Sequence, residues 1–325
     1  MRETLLEILA CPVCGSDQLR LEVRERDARE IREGRLICQS CRAEIPIRKG
    51  VVQALLNPAS TVAREAQGWV EMLAIPEKAH EFRDDWILAL PFVRPEQTPE
   101  QDAVRIWNQV GKHFFENIDR INWRGKRVLE IGAGRCWAVA ELARRGAIAV
   151  GLDILSYKYL GLETADVWFA ADPNLYFERV VGDMHQLPFR SSGFDFVVTT
   201  SSLHHTDRLV TALQEIARTI QPDGQAFFIN EPVIAHQHAV DMSDSVEVQH
   251  GIIEARPTYA EWVSAFNAAG LFVQDVRFED DMHVLLGKRN LHSRAYWWLR
   301  ERMRRASAAP RYYLGKAKNV LVKKH

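Results

Sequence analysis

The chain has 325 residues and a formal net charge of −1, with 47% hydrophobic and 26% charged residues. These values are those of an ordinary globular protein, and the length admits more than one domain. No apolar run reaches 18 residues and no signal-peptide pattern is present, so we expect no membrane-spanning helix and a cytoplasmic location.

Four of the five cysteines form two pairs near the start of the chain. The pairs are Cys11-Pro-Val-Cys14 and Cys38-Gln-Ser-Cys41. Two thiolates from each pair can close a tetrahedron around one Zn²⁺, which predicts a structural zinc site with no open position. Residues 19–23 and 35–38 are predicted to be strands of a small ribbon. Because residues 1–57 can bury little core alone, zinc would hold this unit folded.

Residues 58–122 are predicted to be a helical connector. Apolar residues recur at helical spacing over 62–73 and 104–118, and three prolines between them predict a loop. Most of the many aromatic side chains in this segment are expected to pack its helices against the rest of the protein. Some of its polar and aromatic side chains are candidates for substrate contact: Trp69, His80, Trp86 and His113.

A strand followed by a glycine turn is the feature that organises the rest of the chain. Residues 128–131 are apolar apart from Glu130, Gly132-Ala133-Gly134 follows, and a helix is predicted over 137–145. Such a turn brings bare backbone against a nucleotide-like ligand. The carboxylate of Glu130 would repel a pyrophosphate, so it favours a cationic or amine-bearing ligand.

Two further acids follow the next predicted strands. Asp153 ends the apolar run 148–152, where an acid is placed to accept both hydroxyls of a ribose. Asp183 follows Val180-Val-Gly182, at a place where an adenine edge could bind.

This ordered series resembles the class I S-adenosylmethionine-dependent methyltransferases. The resemblance lies in Glu130-x-Gly132-x-Gly134, the acidic end of the second strand, and Gly182-Asp-Met184 with Leu-Pro-Phe behind it. It implies an α/β fold, with a Rossmann-like sheet of seven strands over residues 123–288, and S-adenosyl-L-methionine as the cofactor. The cofactor-binding residues that it implies are Glu130, Gly132, Ala133, Gly134, Asp153, Asp183, Met184 and Thr200.

The family often has a small residue where this chain has Cys136. We expect that side chain to pack under the helix, because free cysteine behaves as a small buried hydrophobe. A catalytic thiol is the alternative.

The sequence around the cysteine pairs resembles the small zinc-ribbon family whose eukaryotic member activates tRNA, rRNA and protein methyltransferases by binding them in trans. The resemblance covers residues 1–57, from the apolar run at 5–10 to the strand-like segment 45–52. It implies a ribbon fused in cis to its own methyltransferase domain.

The second half of the predicted sheet carries the catalytic candidates. Strands are predicted over 194–200 and 225–230, helices over 207–220 and 258–269, and a final hairpin from 272–278 and 283–287. After the first of these strands come His204 and His205, either of which could take a proton from an acceptor hydroxyl. Glu231 is a second candidate base or acceptor-binding group. The alternative is that the histidines only cap a helix or pack.

Residues 289–325 are predicted to be a basic, amphipathic tail. From Lys288 onward, twelve lysines and arginines face one acid, Glu301. Three interpretations stay open: a helix docked on the acidic body of the protein, a peripheral contact with an anionic membrane, or a contact with RNA.

The sequence therefore predicts a methyltransferase that acts on a hydroxyl or activated carbon of a small-molecule, glycan or lipid-linked acceptor. An RNA methyltransferase is the alternative within the same class, suggested by the ribbon and the tail. A non-catalytic scaffold that keeps the cofactor fold is the alternative from another class.

Overall fold

The computed structural model describes residues 1–233, 243, 245–278 and 316–324. The N-terminal ribbon begins with a 3₁₀ helix, Glu3–Glu7, and continues as four antiparallel strands. The two predicted ribbon strands are present and are longer than expected. The four strands are β1 (Leu19–Arg26), β2 (Ile31–Cys38), β3 (Glu44–Arg48) and β4 (Val51–Gln53).

The connector contains both predicted helices. A short helix that the sequence pattern did not indicate precedes the proline-rich loop. The α-helices of this segment are α1 (Ser60–Glu71), α2 (Asp84–Ala89) and α3 (Gln101–Ile118), and its 3₁₀ turns are Met72–Ala74, Pro76–Glu81 and Pro95–Gln97.

Strands and helices then alternate, as the sequence predicts for an α/β domain. The strands are β5 (Arg127–Ile131), β6 (Ile148–Asp153), β7 (Glu178–Val181), β8 (Phe194–Thr200), β9 (Ile220–Pro232), β10 (Leu271–Phe278) and β11 (Lys316–Lys324). The helices are α4 (Trp137–Arg144), α5 (Ala165–Ala171), α6 (Leu209–Thr219), α7 (Val246–Gln249) and α8 (Tyr259–Ala268).

All of these strands belong to one sheet of eleven, in the order β1-β2-β3-β4-β7-β6-β5-β8-β9-β11-β10. The seven strands from β7 to β10 correspond to the predicted seven-stranded sheet, and the ribbon adds four more at one edge. The chain leaves β5 toward β7 and then returns to β8 on the other side. This reversal of strand order places a ligand crevice at the carboxyl ends of β5 and β8.

One strand of the sheet, β11, lies in the segment that the sequence predicted to be a tail. β11 lies between β9 and β10 and pairs antiparallel with both, so Val320 stands opposite Phe228 and Val276. The predicted partner of β10, residues 283–287, and most of the predicted tail lie outside the described residues. Residues 316–324 of the predicted tail form a strand of the sheet, because a β-branched apolar run can complete a sheet between two strands.

The ribbon joins the α/β domain through backbone and ion pairs. β4 pairs in parallel with β7, and the amide of Ala54 donates to the carbonyl of Val181 at 2.8 Å. Beside this seam the Arg179 guanidinium pairs with Glu30, and both side chains are completely buried. Ribbon residues such as Ile45 share one apolar core with strand residues such as Val180. The ribbon is therefore a structural continuation of the sheet.

No helix in the described part of the chain combines the length and the apolar character needed to span a bilayer.

Candidate active site

A cavity of about 660 Å³ lies at the carboxyl ends of the parallel strands, roofed by α1 and α3. All eight side chains or glycines predicted to bind the cofactor line it, from Glu130 on β5 to Thr200 on β8. His204 and His205 line it as well. Glu231 lies behind the wall, with its side chain 1% exposed. The topology thus brings together residues that are far apart in the chain, from Thr61 on α1 to Arg256 before α8.

The glycine turn is shaped by close contact with the loop after β8. Gly132 has a φ of +74°, and a Cβ there would lie 2.3 Å from the Cβ of Ser202. Gly134 has a φ of +42° with no atom nearer than 3.9 Å to its Cβ position, so its face is open. Only glycine meets both demands without strain.

Cys136 follows the turn in the left-handed conformation and begins α4. Its thiol is buried, 3.5 Å from the carbonyl oxygen of Gly134, and it does not line the cavity. Burial raises the pKa of the Cys136 thiol well above its usual value, which disfavours a thiolate nucleophile. This geometry supports the packing role expected for Cys136.

Two of the three acids are held in place by backbone amides. Asp153 accepts from the amides of Gly134 and Leu155 at 2.8 and 2.9 Å, and burial raises its pKa to about 6. Asp183 accepts from the amide and from Nδ1 of His185 at 2.8 and 2.6 Å. Burial would raise the pKa of Asp183, but the hydrogen bonds from His185 outweigh it and lower that pKa. Each carboxylate therefore faces the cavity with a fixed orientation and spare lone pairs.

Glu130 is the third acid, and one of its carboxyl oxygens lacks a hydrogen-bond partner among the described residues. Its side-chain oxygen Oε2 is buried and has no hydrogen-bond partner in the described part of the chain. Burial, with the nearby charge of Asp153, raises the pKa of Glu130 well above its usual value. Thr200 Oγ1 is likewise buried and unpartnered among the described residues. Such orphaned groups on a cavity wall indicate a ligand that donates to them.

The loop after β8 is organised around Glu231. Its Oε1 accepts from the amides of Ser202 and Leu203 at 3.1 and 3.0 Å, and its Oε2 accepts from Nδ1 of His204 at 2.8 Å. Burial would raise the pKa of Glu231, but the His204 hydrogen bond prevails and lowers it. Glu231 therefore acts on the cavity through His204 and does not reach it directly.

The two neighbouring histidines differ in their surroundings. Nδ1 of His204 donates to Glu231, and its other ring nitrogen, Nε2, lies 3.8 Å from Oε1 of Glu254. Nδ1 of His205 donates to the carbonyl oxygen of Ile253 at 2.6 Å, and its ring meets Trp69 edge to face. Burial, with the adjacent His204, lowers the pKa of His205 to about 3, so it stays neutral. His204 is the better placed of the two for proton transfer.

The connector covers the cavity with apolar side chains, and one ion pair links it to the glycine turn. The guanidinium of Arg135 pairs with Glu81 and lies 4.5 Å from the ring centre of Trp86. The apolar lining of the roof is Val62, Met72, Phe82, Ile106, Trp107 and Val110.

Of the connector side chains predicted to touch substrate, only Trp69 lines the cavity. Trp86 packs on Arg135, and Nε2 of His80 bonds with Oγ1 of Thr98 at 2.8 Å. His113 is buried on α3. Helical spacing could indicate which residues are apolar or buried, but not which of them face the cavity.

The four ribbon cysteines come together at the other end of the sheet. Their sulfur atoms all lie within 4.8 Å of one another. The Sγ–Sγ distance is 3.6 Å for Cys11 with Cys41 and also for Cys14 with Cys38. Sulfurs at 2.3 Å from a tetrahedral Zn²⁺ would be about 3.8 Å apart. This donor set and spacing fit a structural zinc ion.

Two families match separate parts of the chain. Residues 129–228 match the family described as "Methyltransferase domain", and residues 2–50 match "Trm112p-like protein". Residues 129–228 therefore contain a methyltransferase domain, and a Trm112p-like domain precedes it.

Curated relatives of this methyltransferase domain include two with named acceptors. The chain is 32% identical over 142 residues to a demethylmenaquinone methyltransferase of Corynebacterium glutamicum, covering 38% of this chain and 57% of the relative. It is 28% identical over 193 residues to a fatty-acid O-methyltransferase of Mycolicibacterium smegmatis, covering 52% and 65%. The chain spans less than two thirds of the length of these relatives.

One solved structure that the chain matches is from Haloferax volcanii, in a complex between the Trm112 methyltransferase activator and a methyltransferase. The match has 22% identity and a TM-score of 0.49, covering 77% of this chain and 96% of that chain.

The methyltransferase domain offers a set of groups that fits S-adenosyl-L-methionine. The orphaned oxygen of Glu130 suits an ammonium donor, and the open face of Gly134 admits a ligand close to the backbone. Asp153 and Asp183 supply acceptor oxygens on neighbouring strand ends. The cavity is also large enough, because small-molecule sites typically measure about 300–1,000 Å³.

Several lining residues escaped the sequence analysis. Glu65 interrupts the apolar face of α1 at helical spacing from Val62 and Trp69, a signal that could have identified it. Arg135 lies within the glycine turn itself. His185 and Glu254 carry no local signal, because only the tertiary structure brings them to the cavity.

Proposed function

We propose that the chain is an S-adenosylmethionine-dependent methyltransferase that acts on a hydroxyl or activated carbon of a small, largely apolar acceptor. The observation that carries the proposal is the single cavity with two chemically different ends. One end has three acids on consecutive strand ends, and the other has a histidine held by a buried glutamate.

The acids at the first end would hold the cofactor. Glu130 would accept from its amino group, Asp153 from its ribose hydroxyls, and Asp183 from its adenine edge. The remaining predicted contacts are Gly132, Ala133, Gly134, Met184 and Thr200, all on the same wall. When bound, S-adenosyl-L-methionine supplies an electrophilic methyl group.

The chemistry at the other end concerns one proton. Nε2 of His204 would take the proton of the acceptor hydroxyl, and Glu231 would stabilise the resulting imidazolium through Nδ1. His205 stays neutral and contributes to the wall of the acceptor site. In this assignment His204 is the base, and Glu231 is a positioning residue and not itself the base.

The lining of the cavity favours an apolar acceptor over RNA. The roof is apolar, and acidic side chains outnumber basic ones by ten to three among the lining residues. Nucleic acids are bound by the opposite charge. An acceptor of the demethylmenaquinone or fatty-acid type, after which two relatives are named, has the expected apolar body. A scaffold without catalysis would have no use for the unpartnered acid at Glu130.

We propose structural Zn²⁺ in the ribbon, bound by Cys11, Cys14, Cys38 and Cys41. With these four thiolates the ion would have no open position, so its role would be to hold the ribbon against β7. We also keep the division into ribbon, connector and catalytic domain as a proposal, with β11 assigned to the catalytic sheet.

Two measurements test the function. Calorimetry should detect binding of S-adenosyl-L-methionine to the purified protein. Labelled cofactor should then transfer its methyl group into an organic-soluble pool of a fractionated extract from the native organism. Label that is sensitive to nuclease would overturn the acceptor assignment in favour of RNA. Absence of cofactor binding would overturn the methyltransferase proposal itself.

A further inference from the structure

Three side chains of the kinds that bind metal ions meet at the acceptor end of the cavity. His204 and His205 come from the loop after β8, and Glu254 comes from the segment before α8. One donor atom of each lies within 4.8 Å of the donor atoms of the other two, and none of the three side chains is more than 15% exposed. Two imidazoles and a carboxylate are a donor set that divalent transition-metal ions such as Zn²⁺ and Co²⁺ favour.

The two atoms of His204 and Glu254 that face each other both carry lone pairs. Nδ1 of His204 donates to Oε2 of Glu231 at 2.8 Å, so Nε2 is left without a proton. Nε2 lies 3.8 Å from Oε1 of Glu254, which receives no hydrogen bond from any residue in the described ranges. Two donor atoms that bind one ion at about 2.0–2.2 Å each lie at most about 4.4 Å apart. A cation between these atoms would therefore replace an unfavourable contact by two bonds.

Both of these atoms are oriented by partners outside the group. A metal-binding histidine usually donates its other ring N–H to a carboxylate or a carbonyl, and a metal-binding carboxylate is itself hydrogen-bonded. His204 has such a partner in Glu231, whose side chain is 1% exposed. Glu254 has one in Arg256, whose Nη2 donates to Oε2 at 3.3 Å. The lone pairs of Nε2 and Oε1 are therefore held in position before an ion arrives.

His205 supplies the third donor atom. Its Nδ1 lies 3.7 Å from Oε1 of Glu254 and donates to the carbonyl oxygen of Ile253 at 2.6 Å. A neutral imidazole can carry its proton on either ring nitrogen. With an ion at Nδ1 the proton would move to Nε2, and the carbonyl of Ile253 would face the cation in place of the N–H group. His205 therefore joins the site by a change of tautomer.

The charges around the group favour a cation. Glu65, Glu231 and Glu254 are the acids that contact the two histidines. The one guanidinium that contacts Glu254 belongs to Arg256, which lines the same cavity and has a buried Nε without a hydrogen-bond partner in the described part of the chain. Even with Glu65 protonated, the acids outnumber this guanidinium by two to one. Negative charge therefore remains for a divalent ion to neutralise.

Glu65 contributes charge to the site but is not one of its ligands. Its Oε1 lies 3.8 Å from Nδ1 of His205. Both of its oxygens already accept hydrogen bonds, from Nε1 of Trp69 at 3.1 Å and from the amide of Ile253 at 2.8 Å. The carboxylate with an oxygen to spare for an ion is therefore that of Glu254.

We propose that His204, His205 and Glu254 bind a divalent transition-metal ion, such as Zn²⁺ or Co²⁺, and that this ion inhibits methyl transfer. The second part rests on the proposed function, in which Nε2 of His204 takes the proton of the acceptor hydroxyl. A bound ion occupies that lone pair, so the proton can no longer be transferred to it. The metal ion and the acceptor are therefore alternative occupants of the same end of the cavity.

Binding of Co²⁺ tests the site without requiring turnover. The full chain is first loaded with one equivalent of Zn²⁺ to fill the ribbon cysteines and is then titrated with Co²⁺. Cobalt bound by histidine and carboxylate gives d–d absorption without the thiolate-to-cobalt charge-transfer bands that cysteine ligands give. We expect one equivalent of Co²⁺ to bind with d–d absorption alone. Absence of Co²⁺ binding, or a spectrum with thiolate bands only, would overturn the inference.

Variants of the ligands and of their partner identify the residues responsible. His204→Gln and Glu254→Gln each remove a ligand and should abolish the binding of Co²⁺. Glu231→Gln keeps all three ligands but removes the charge that orients His204, so it should raise the Kd of Co²⁺ by about 10- to 100-fold. His250→Gln is the control, because the ring of this histidine lies outside the cavity.

Circular dichroism and binding of S-adenosylhomocysteine show that each variant is folded. If one of the three site variants does not fold, the other two decide the result. Folded variants of His204, Glu231 and Glu254 that bind Co²⁺ as tightly as wild type would overturn the inference.

Methyl transfer tests the inhibition. Transfer of label into the organic-soluble pool should fall as the site fills, with the same dependence on Co²⁺ concentration as the d–d absorption. Full transfer by cobalt-saturated protein would overturn the inhibitory role. Absence of transfer by cobalt-free protein would instead contradict the proposed function, while the cobalt titration still decides the metal site, so the two failures are distinguishable.

Discussion

The two ends of the cavity are built in different ways. The cofactor end consists of residues at the carboxyl ends of β5, β6, β7 and β8, each in the strand or within a few positions after it. The acceptor end is assembled from α1, the loop after β8 and the segment around Glu254, which are far apart in the chain. The first end is therefore a property of local strand-to-loop geometry. The second depends on how distant elements pack, so specificity can change there without disturbing the cofactor.

The ribbon supports only the first end. β4 extends the sheet beside β7, whose end leads to Asp183, whereas α1 and the Glu254 segment do not pair with it. Zinc removal is therefore expected to have the largest effect of the changes that distinguish the cofactor end from the acceptor end.

We expect chelation of zinc, or Cys38→Ser, to unfold the ribbon, because structural zinc contributes on the order of 10 kcal/mol. Cofactor affinity should fall with it, since Val180 and Val181 lose their partners in β4. Metal analysis, circular dichroism and calorimetry measure these effects. Cys136→Ser is the matched control and should retain one equivalent of zinc. A Cys38→Ser protein with normal ribbon stability would contradict the zinc assignment.

His204→Gln tests the acceptor end alone. Loss of the base should lower kcat by about 10²- to 10⁴-fold while cofactor affinity is unchanged. Single-turnover methyl transfer together with cofactor calorimetry measures both quantities. His250→Gln serves as the control, because the ring of this histidine bonds to the carbonyl of Val246 in the preceding helix and lies outside the cavity. Retention of full kcat in His204→Gln would remove the histidine from the mechanism.

Asp153→Ala tests the cofactor end alone. It removes the acceptor proposed for the ribose hydroxyls, so the Kd of S-adenosyl-L-methionine should rise by about 10- to 100-fold. The Kd of Co²⁺ at the acceptor end should be unaffected. Asp223→Ala, at an exposed position of β9, is the comparison variant. Equal cofactor affinity in both proteins would show that Asp153 does not bind the cofactor.

The pH dependence of the unfolding free energy tests the ionisation of Glu65. Its expected effect is the smallest of the four predictions. Burial raises the pKa of Glu65 from 4.5 to about 7, so its contribution to stability is full below about pH 4.5 and is lost as the pH rises through 7. Relative to wild type, Glu65→Gln should therefore gain about 1–3 kcal/mol of unfolding free energy between pH 5 and pH 8.

Urea unfolding at the two pH values measures this gain. Asp153 and Glu130 also have raised pKa values, but they titrate in both proteins and cancel in the comparison. A constant difference between Glu65→Gln and wild type at both pH values would show that Glu65 is ionised normally.

The parts of the structure that could be predicted from the sequence are those that depend on local geometry, as the cofactor end does. Gly132, Asp153 and Asp183 could be assigned to one edge of a sheet because parallel strands end at the same edge. The described strand beside β10 is β11, which begins at residue 316, and the predicted hairpin partner 283–287 lies outside the described residues. Glu231 was a candidate base or acceptor-binding group, but its carboxylate bonds to the loop after β8.

The sequence alone determined the parts of this protein in which function follows from spacing within a few residues. These are the cysteine pairs, the glycine turn with Glu130, and the acid after each strand. Tertiary contacts were needed to show that the ribbon continues the sheet through β4, that β11 completes it, and that His204 rather than His205 bonds to Glu231. The physical reason is that these outcomes depend on hydrogen bonds and burial between residues that are distant in the chain, such as Glu231 with His204 and Glu65 with Ile253.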